Sequence, residues 1–294
     1  MIKTSAFYDL CIQQSFFSQD NLEKSIKSLY QLGYRTIAVN QTIEDINIEQ
    51  SKKKKKKGGS KENQDIVPVP YNLSAIQDVI KKLDIDNFHV FNRLTVIFAN
   101  QDGLHKITKS PNFKKYHIFA VSPTTNQALL YTCSTLEADI FAYNPEIKFD
   151  LRLNRKLYTQ LMERSYYFEL LYSPAIEDSS QRKHLIHASH LYHSYGKSKN
   201  IIFSSGANRP ALIRNPYDVI NMGFLFGLSE LQCKTAVSHC PSKVILNSVG
   251  RRLGKSVMFV EHVTSTMEVV EISSNDDEEE EIDTEEPKQK KTKT

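Results

Sequence analysis

Phe168-Glu169-Leu170-Leu171-Tyr172 runs into Ser173-Pro174-Ala175-Ile176-Glu177-Asp178-Ser179, and Ile201-Ile202-Phe203 runs into Ser204-Ser205-Gly206-Ala207-Asn208-Arg209-Pro210. Each reads as a short buried strand, then a polar turn, then the start of a helix. After the second turn come Ile213-Arg214-Asn215-Pro216-Tyr217-Asp218-Val219, where Asn215 is placed to cap a helix with Pro216 in its first turn. Strand, turn and helix repeated in this way are the mark of βα units around a parallel sheet. In a parallel α/β barrel the loops leaving the C-terminal strand ends carry function, so the two polar turns are the first place to look for a site.

Working outward, the alternation continues in both directions. Phe7 to Ile12 reads as a strand, and Asp20 as the cap of a helix whose Leu22, Ile26, Leu29 and Leu32 share one face before Gly33. Further strands are expected at Thr36–Asn40, Leu94–Ala99, His117–Ser122, Ile140–Ala142 and Lys243–Leu246. Helices are expected at Ser74–Leu83, Asn126–Leu136, Tyr158–Arg164, Lys183–Tyr195, Val219–Leu228 and Ser229–Ser238. About eight strands result, the number that closes a barrel filled by its own side chains. An open doubly wound sheet is the alternative. No strand is followed by GxGxxG or GxxxxGK[ST], so neither dinucleotide nor P-loop chemistry is supported.

A length of 294 residues suits one large domain of barrel size. The net charge of +4 conceals an asymmetry: six lysines at Lys52–Lys57, nine acidic residues between Asp276 and Glu286, and four lysines beyond them. Without those segments the body carries +3, too little to argue for nucleic acid by itself. Residues 46–70 read as a solvated, disordered insertion in a barrel domain spanning 1–252; residues 253–294 form an extension, disordered from about 273. Either lysine cluster is a solubilising run or a nuclear-import signal. Cys11, Cys133, Cys233 and Cys240 form no CxxC pair and read as reduced core residues, which points to the cytosol or nucleus. The N-terminal stretch lacks a signal-peptide profile, and no membrane span is expected.

The second polar turn has the chemistry of an anion site. Consecutive amides and hydroxyls of Ser204, Ser205 and Gly206 can face an anion, and Arg209 and Arg214 would add guanidinium forks suited to phosphate. Either arginine could instead pair with Glu169, Asp178 or Asp218 and hold loops together. Arg93, Arg182 and Lys183, with Arg251 and Arg252, stand at other expected loop edges. Tyr172 and Tyr217 could stack on unpaired bases or pack in the core. His184, His187, His190 and His193 recur every three residues, a spacing that drifts around a helix, and no Cys or paired carboxylate completes a metal set.

Arg93-Leu94-Thr95, the run Phe168–Ser179, Ile202–Pro210 and Ile213–Gly223 followed by Leu225-Phe226-Gly227-Leu228 occur in the order and spacing of one family. The chain resembles the thirty-kilodalton protein subunit of ribonuclease P and ribonuclease MRP from Phe7 to about Arg252. The resemblance implies a TIM-barrel-like fold related to polymerase-and-histidinol-phosphatase phosphoesterases. It further implies a non-catalytic role in an RNA-based endonuclease that matures the 5′ ends of precursor tRNA. It implies ribonuclease P RNA and MRP RNA as partners, with other protein subunits including a small Pop-type one, and a nuclear and nucleolar location. Mg²⁺ is expected for the RNA catalyst and no cofactor for this chain. A phosphoesterase of the related type would have a His-x-His pair at the end of its first strand; here the stretch is Phe7-Tyr8-Asp9-Leu10. The rival readings are a phosphoesterase using Asp9, Asp178 and the His-rich helix, and a protein scaffold without RNA contact.

Overall fold

The computed structural model describes residues 6–18, 21–44, 65–146 and 151–254. Seven strands form one sheet in chain order, every neighbouring pair parallel. They are β1 (Phe7–Gln13), β2 (Tyr34–Glu44), β3 (His89–Phe98), β4 (Ile118–Pro123), β5 (Ile140–Phe141), β6 (Tyr167–Leu171) and β7 (Ile201–Ser204). The crossovers contain α1 (Leu22–Gln31), α2 (Ser74–Lys82), α3 (Gln101–Thr108), α4 (Asn126–Ser134), α5 (Arg155–Glu163), α6 (Tyr172–Glu177) and α7 (Ser179–Gly196). After β7 come α8 (Pro216–Leu225), α9 (Glu230–Val237) and α10 (His239–Leu253). Sequential order with parallel pairing follows from connections that return each strand beside its predecessor, which curls the sheet towards a barrel.

The eighth strand expected at Lys243–Leu246 lies inside α10. Pro241, Val244, Ile245 and Ser248 are its buried residues, a spacing of three and four that belongs to a helix face. Arg251 and Arg252 occupy the last turn, where the helix dipole favours cations. The run Val244-Ile245-Leu246 is too short for its apolar character to separate strand from helix. Closure is made differently. A single parallel bridge joins Ile12 to Ala207, with Gln13 N donating to Ala207 O (2.9 Å) and Gly206 N to Cys11 O (2.7 Å). The loop leaving β7, rather than another strand, seals the barrel at its C-terminal end.

Alternation along the strands divides the interior into two layers. Tyr8, Leu10, Ala38, Ile118, Ala120, Ile140, Tyr167 and Ile202 pack together, and Val244 and Ile245 of α10 join them. Two residues further along the same strands stand Asn40, Ser122, Glu169 and Ser204, all buried. The apolar layer thus lies towards the N-terminal end and the polar one towards the mouth. Outside the sheet, one apolar cluster gathers β3 to β7 with the later helices, and a second gathers β1 and β2 with α1 and α2. In the first, the Tyr158 ring stacks on Phe168 with centroids 4.0 Å apart.

Part of the expected insertion is held in place. Val67 is buried and its carbonyl accepts from Asn112 Nδ2 (3.0 Å), while Asp65 accepts from Ser110 Oγ (2.7 Å). One apolar residue and a satisfied carboxylate suffice to fix 65–70 against the loop after α3. Residues 46–64, the expected cap Asp20 and the tail from 255 onward lie outside the described residues; Asn21 stands at the N-cap of α1.

Candidate functional site at the barrel mouth

At the centre of the polar layer Arg93 and Glu169 form a two-pronged ion pair, with Nη1–Oε1 2.5 Å and Nη2–Oε2 2.6 Å. Both are shut away from water, with side chains 1% and 0% exposed. A guanidinium keeps its charge, so burying it demands full compensation. Arg93 Nη1 also donates to Leu10 O (2.9 Å), and Nε donates to Thr95 Oγ1 (3.1 Å). Thr95 Oγ1 donates onward to Asn40 Oδ1 (2.6 Å), and Asn40 Nδ2 to Gln13 Oε1 (3.3 Å). The network laces β1, β2, β3 and β6 across the barrel axis.

Over this network opens a cavity of about 390 Å³ whose lining includes Gln13, Asn40, Ser122 and Asn208. Its rim carries the exposed carboxylates Glu44, Glu146 and Glu177. Glu177 is paired with Arg209, which leaves Glu44 and Glu146 to disfavour phosphate in the cavity itself.

Asp9 forms the seam between β1 and the loop after β7. Its Oδ1 accepts from Ser205 N (3.0 Å) and Cys11 N (3.2 Å). Burial pushes the carboxyl up to about 6, against the opposing pull of the Ser205 and Cys11 hydrogen bonds. Oδ2 finds no hydrogen-bond partner among the described residues. Cys11 is buried beside it, and burial pushes its thiol well above the usual range, which makes it unreactive.

The expected anion group is dispersed by the fold. Ser204 and Ser205 are buried; Ser205 Oγ donates to Cys11 O (3.1 Å) and accepts from Ala207 N (3.1 Å). Gly206, at φ +67°, makes the left-handed turn that sends its amide to Cys11. The amides of Ser205 and Gly206 therefore close the barrel and do not face outward as an anion nest. Arg93 lies at the barrel centre, out of reach of any RNA backbone. Arg209 is exposed and pairs with Glu177 (2.5 Å), none of the three carboxylates weighed for it. Asp178 instead caps α7, accepting from Ser180 N (3.1 Å) and Gln181 N (3.3 Å). Arg214 is half-buried near the start of β2: its carbonyl accepts from Tyr34 Oη (2.9 Å) and its Nη1 donates to Ala211 O (3.2 Å). Arg182 and Lys183 are exposed on α7, Arg182 donating through Nε to Ala175 O (2.8 Å). Arg251 is held by Asp139 (Nη2–Oδ2 2.9 Å). Tyr172 is buried, whereas Tyr217 is 64% exposed.

Among the described residues no group of three or more His, Cys, Asp or Glu is arranged to hold a metal ion. His184 Nδ1 lies 3.1 Å from Pro145 O and His193 Nδ1 3.1 Å from Ser198 Oγ, so the two point to different neighbours. No described helix is long and apolar enough to cross a membrane.

A sequence profile described as RNase P subunit p30 matches residues 6–253. The chain belongs to the ribonuclease P subunit p30 family. It is 30% identical to the mouse (Mus musculus) ribonuclease P protein subunit p30 over 230 residues, covering 77% of this chain and 80% of the mouse protein. With the Saccharomyces cerevisiae ribonuclease P/MRP protein subunit RPP1 it shares 23% identity over 240 residues, 81% of this chain and 75% of the yeast protein. A chain in the cryo-EM structure of archaeal ribonuclease P with mature tRNA superposes with a TM-score of 0.55 at 15% identity, covering 89% of this chain and all of that one. This p30 family member therefore has the TIM-barrel-like architecture expected of it, with seven strands among the described residues. Sequence reasoning missed the Arg93–Glu169 pair. Its signal was present: one charged residue in the middle of each of two apolar strands, with opposite signs.

Proposed function

We propose that this chain is a non-catalytic protein subunit of ribonuclease P and ribonuclease MRP, supporting 5′-end maturation of precursor tRNA. The carrying observation is the match to the p30 family over residues 6–253, from the first strand to the last helix. The barrel interior supports it, because the polar layer below the mouth, from which a barrel enzyme would draw catalytic groups, is occupied by the Arg93–Glu169 pair. Catalysis then belongs to the RNA with its Mg²⁺, and the chain holds no cofactor of its own. The exposed cations Arg182, Lys183 and Arg209, with half-buried Arg214, are the contacts we assign to the RNA backbone. Arg209 can exchange its exposed partner Glu177 for phosphate at little cost, since such surface pairs contribute only about 0–1 kcal/mol. Ribonuclease P RNA, MRP RNA and other protein subunits, a small Pop-type subunit among them, are the partners. The nucleus and nucleolus are the place.

Isolating a tagged full-length chain, sequencing the bound RNA and identifying the bound proteins tests this reading. Both RNAs and a Pop-type subunit are expected. Recovery of neither RNA would contradict the assignment. The phosphoesterase alternative is tested with the purified chain on phosphomonoesters in Mn²⁺ or Zn²⁺: no turnover is expected, and turnover abolished by Asp9→Ala would overturn the non-catalytic role.

A further inference from the structure

A second cavity, of about 500 Å³, lies at the opposite end of the barrel, among the N-terminal ends of β1, β2 and β3 and the start of α8. Its walls combine ring and guanidinium planes with amide edges. Arg35 lies over the Tyr30 ring, Cζ 3.9 Å from the centroid, and its Nη1 donates to the carbonyls of Tyr30 (2.8 Å) and Tyr34 (2.9 Å). Three contacts thus fix the plane of the guanidinium. Tyr217, also in the lining, remains 64% exposed although its ring meets the Phe7 ring at 5.4 Å in an edge-to-face arrangement. Asn87 and Asn215 add amide side chains to the lining, and buried Thr36 carries a hydroxyl with no hydrogen-bond partner among the described residues.

Flat, ordered stacking surfaces with donors and acceptors around them are what an unpaired nucleobase requires, because stacking holds its faces and amides read its edge. We propose that this cavity receives an unpaired nucleobase of the particle's RNA, stacked on Tyr217 and on the Arg35 plane. The inference rests on the RNA-subunit reading above and adds a place and a mode of contact. It adds a base contact at the end of the barrel opposite the mouth to the backbone contacts assigned above. Arg214, next to Asn215 in sequence, supplies a cation beside the cavity for the adjoining phosphate.

The test uses particles isolated on the tagged full-length chain, with ribonuclease P RNA as the probe. Ultraviolet crosslinking followed by peptide mapping is expected to place a nucleotide adduct on Tyr217 or Tyr30. Tyr217→Ala is expected to weaken RNA binding by the purified chain about tenfold, as loss of one stacked base does, while Tyr217→Phe keeps the ring and the affinity. Because the alanine variant also loses the edge-to-face contact with Phe7, its unfolding midpoint is measured alongside and binding is compared where both chains are fully folded. RNA bound normally by both variants, with adducts only elsewhere, would overturn the pocket and leave the subunit reading standing. Unchanged RNA affinity with loss of a protein subunit from the Tyr217→Ala particle would show a protein segment in the cavity, which also overturns the proposal. Failure of the parent chain to recover any RNA would instead remove the reading on which the pocket rests.

Discussion

Two residues in the barrel interior have energetic consequences that can be measured. Among the described residues, Arg93 and Glu169 are compensated by each other and by the bonds to Leu10 and Thr95. Removing one partner leaves a buried charge alone, and Arg93→Ala or Glu169→Ala should each lose about 3–5 kcal/mol of stability in denaturant titrations. The double replacement Arg93→Met with Glu169→Leu removes both charges and should recover most of that loss. Asp9 works the other way. Its carboxyl is raised from 3.8 to about 6 in the fold, chiefly by burial. The folded state therefore holds the proton more tightly than the unfolded chain does, so this contribution is fully present below about pH 4 and is lost as pH rises through about 6. Stability of the parent relative to Asp9→Asn should fall by roughly 2 kcal/mol between pH 4 and pH 7. A flat difference would show that Asp9 is not the buried acid described here. A charged residue in the middle of each of two apolar strands marked Arg93 and Glu169 as unusual, but that they pair with each other depends on the fold, since they are 76 residues apart.

The elements themselves were largely readable. The strands from Phe7 to Ile201 and most of the helices between them follow from apolar periodicity, and Asn215 caps α8 as expected; Ser229 forms a reciprocal capping box with Gln232 at the start of α9. The exceptions are α3, for which no helix was expected, α6, which forms where a polar turn was expected, and α10, where three consecutive apolar residues suggested a strand and the buried set at 241, 244, 245 and 248 shows a helix face. Close packing of α8 on α9 turns on Gly223: a Cβ there would sit 2.5 Å from Cys233 Sγ and 3.3 Å from a Phe203 ring carbon. Gly223→Ala should therefore cost about 1–3 kcal/mol despite the better helix propensity of alanine, read from the unfolding midpoint. An increase in stability would mean that the two helices can move apart freely.

For the molecule as a whole, charge placement decides where the proposed RNA contacts can lie. The mouth is ringed by Glu44, Glu146 and Glu177, while Arg182, Lys183 and Arg209 are exposed and Arg214 is half-buried. If those four each neutralise one phosphate, replacing all four by Gln should reduce the steepness of the log affinity against log salt plot by about 3. An unchanged slope would place the backbone contacts elsewhere on the surface. The parallel barrel, the family and the cation-bearing turns could be read from the chain alone, since periodicity, caps and turn residues are local and act within a few positions. Tertiary structure decided that Ser205 and Gly206 seal the barrel against Cys11 and Asp9, that Arg93 crosses the interior to Glu169, and that a helix joins the apolar layer where an eighth strand was expected. Each of these depends on which distant groups share a buried space. In that space an unpaired charge or amide costs more than any local preference can offset.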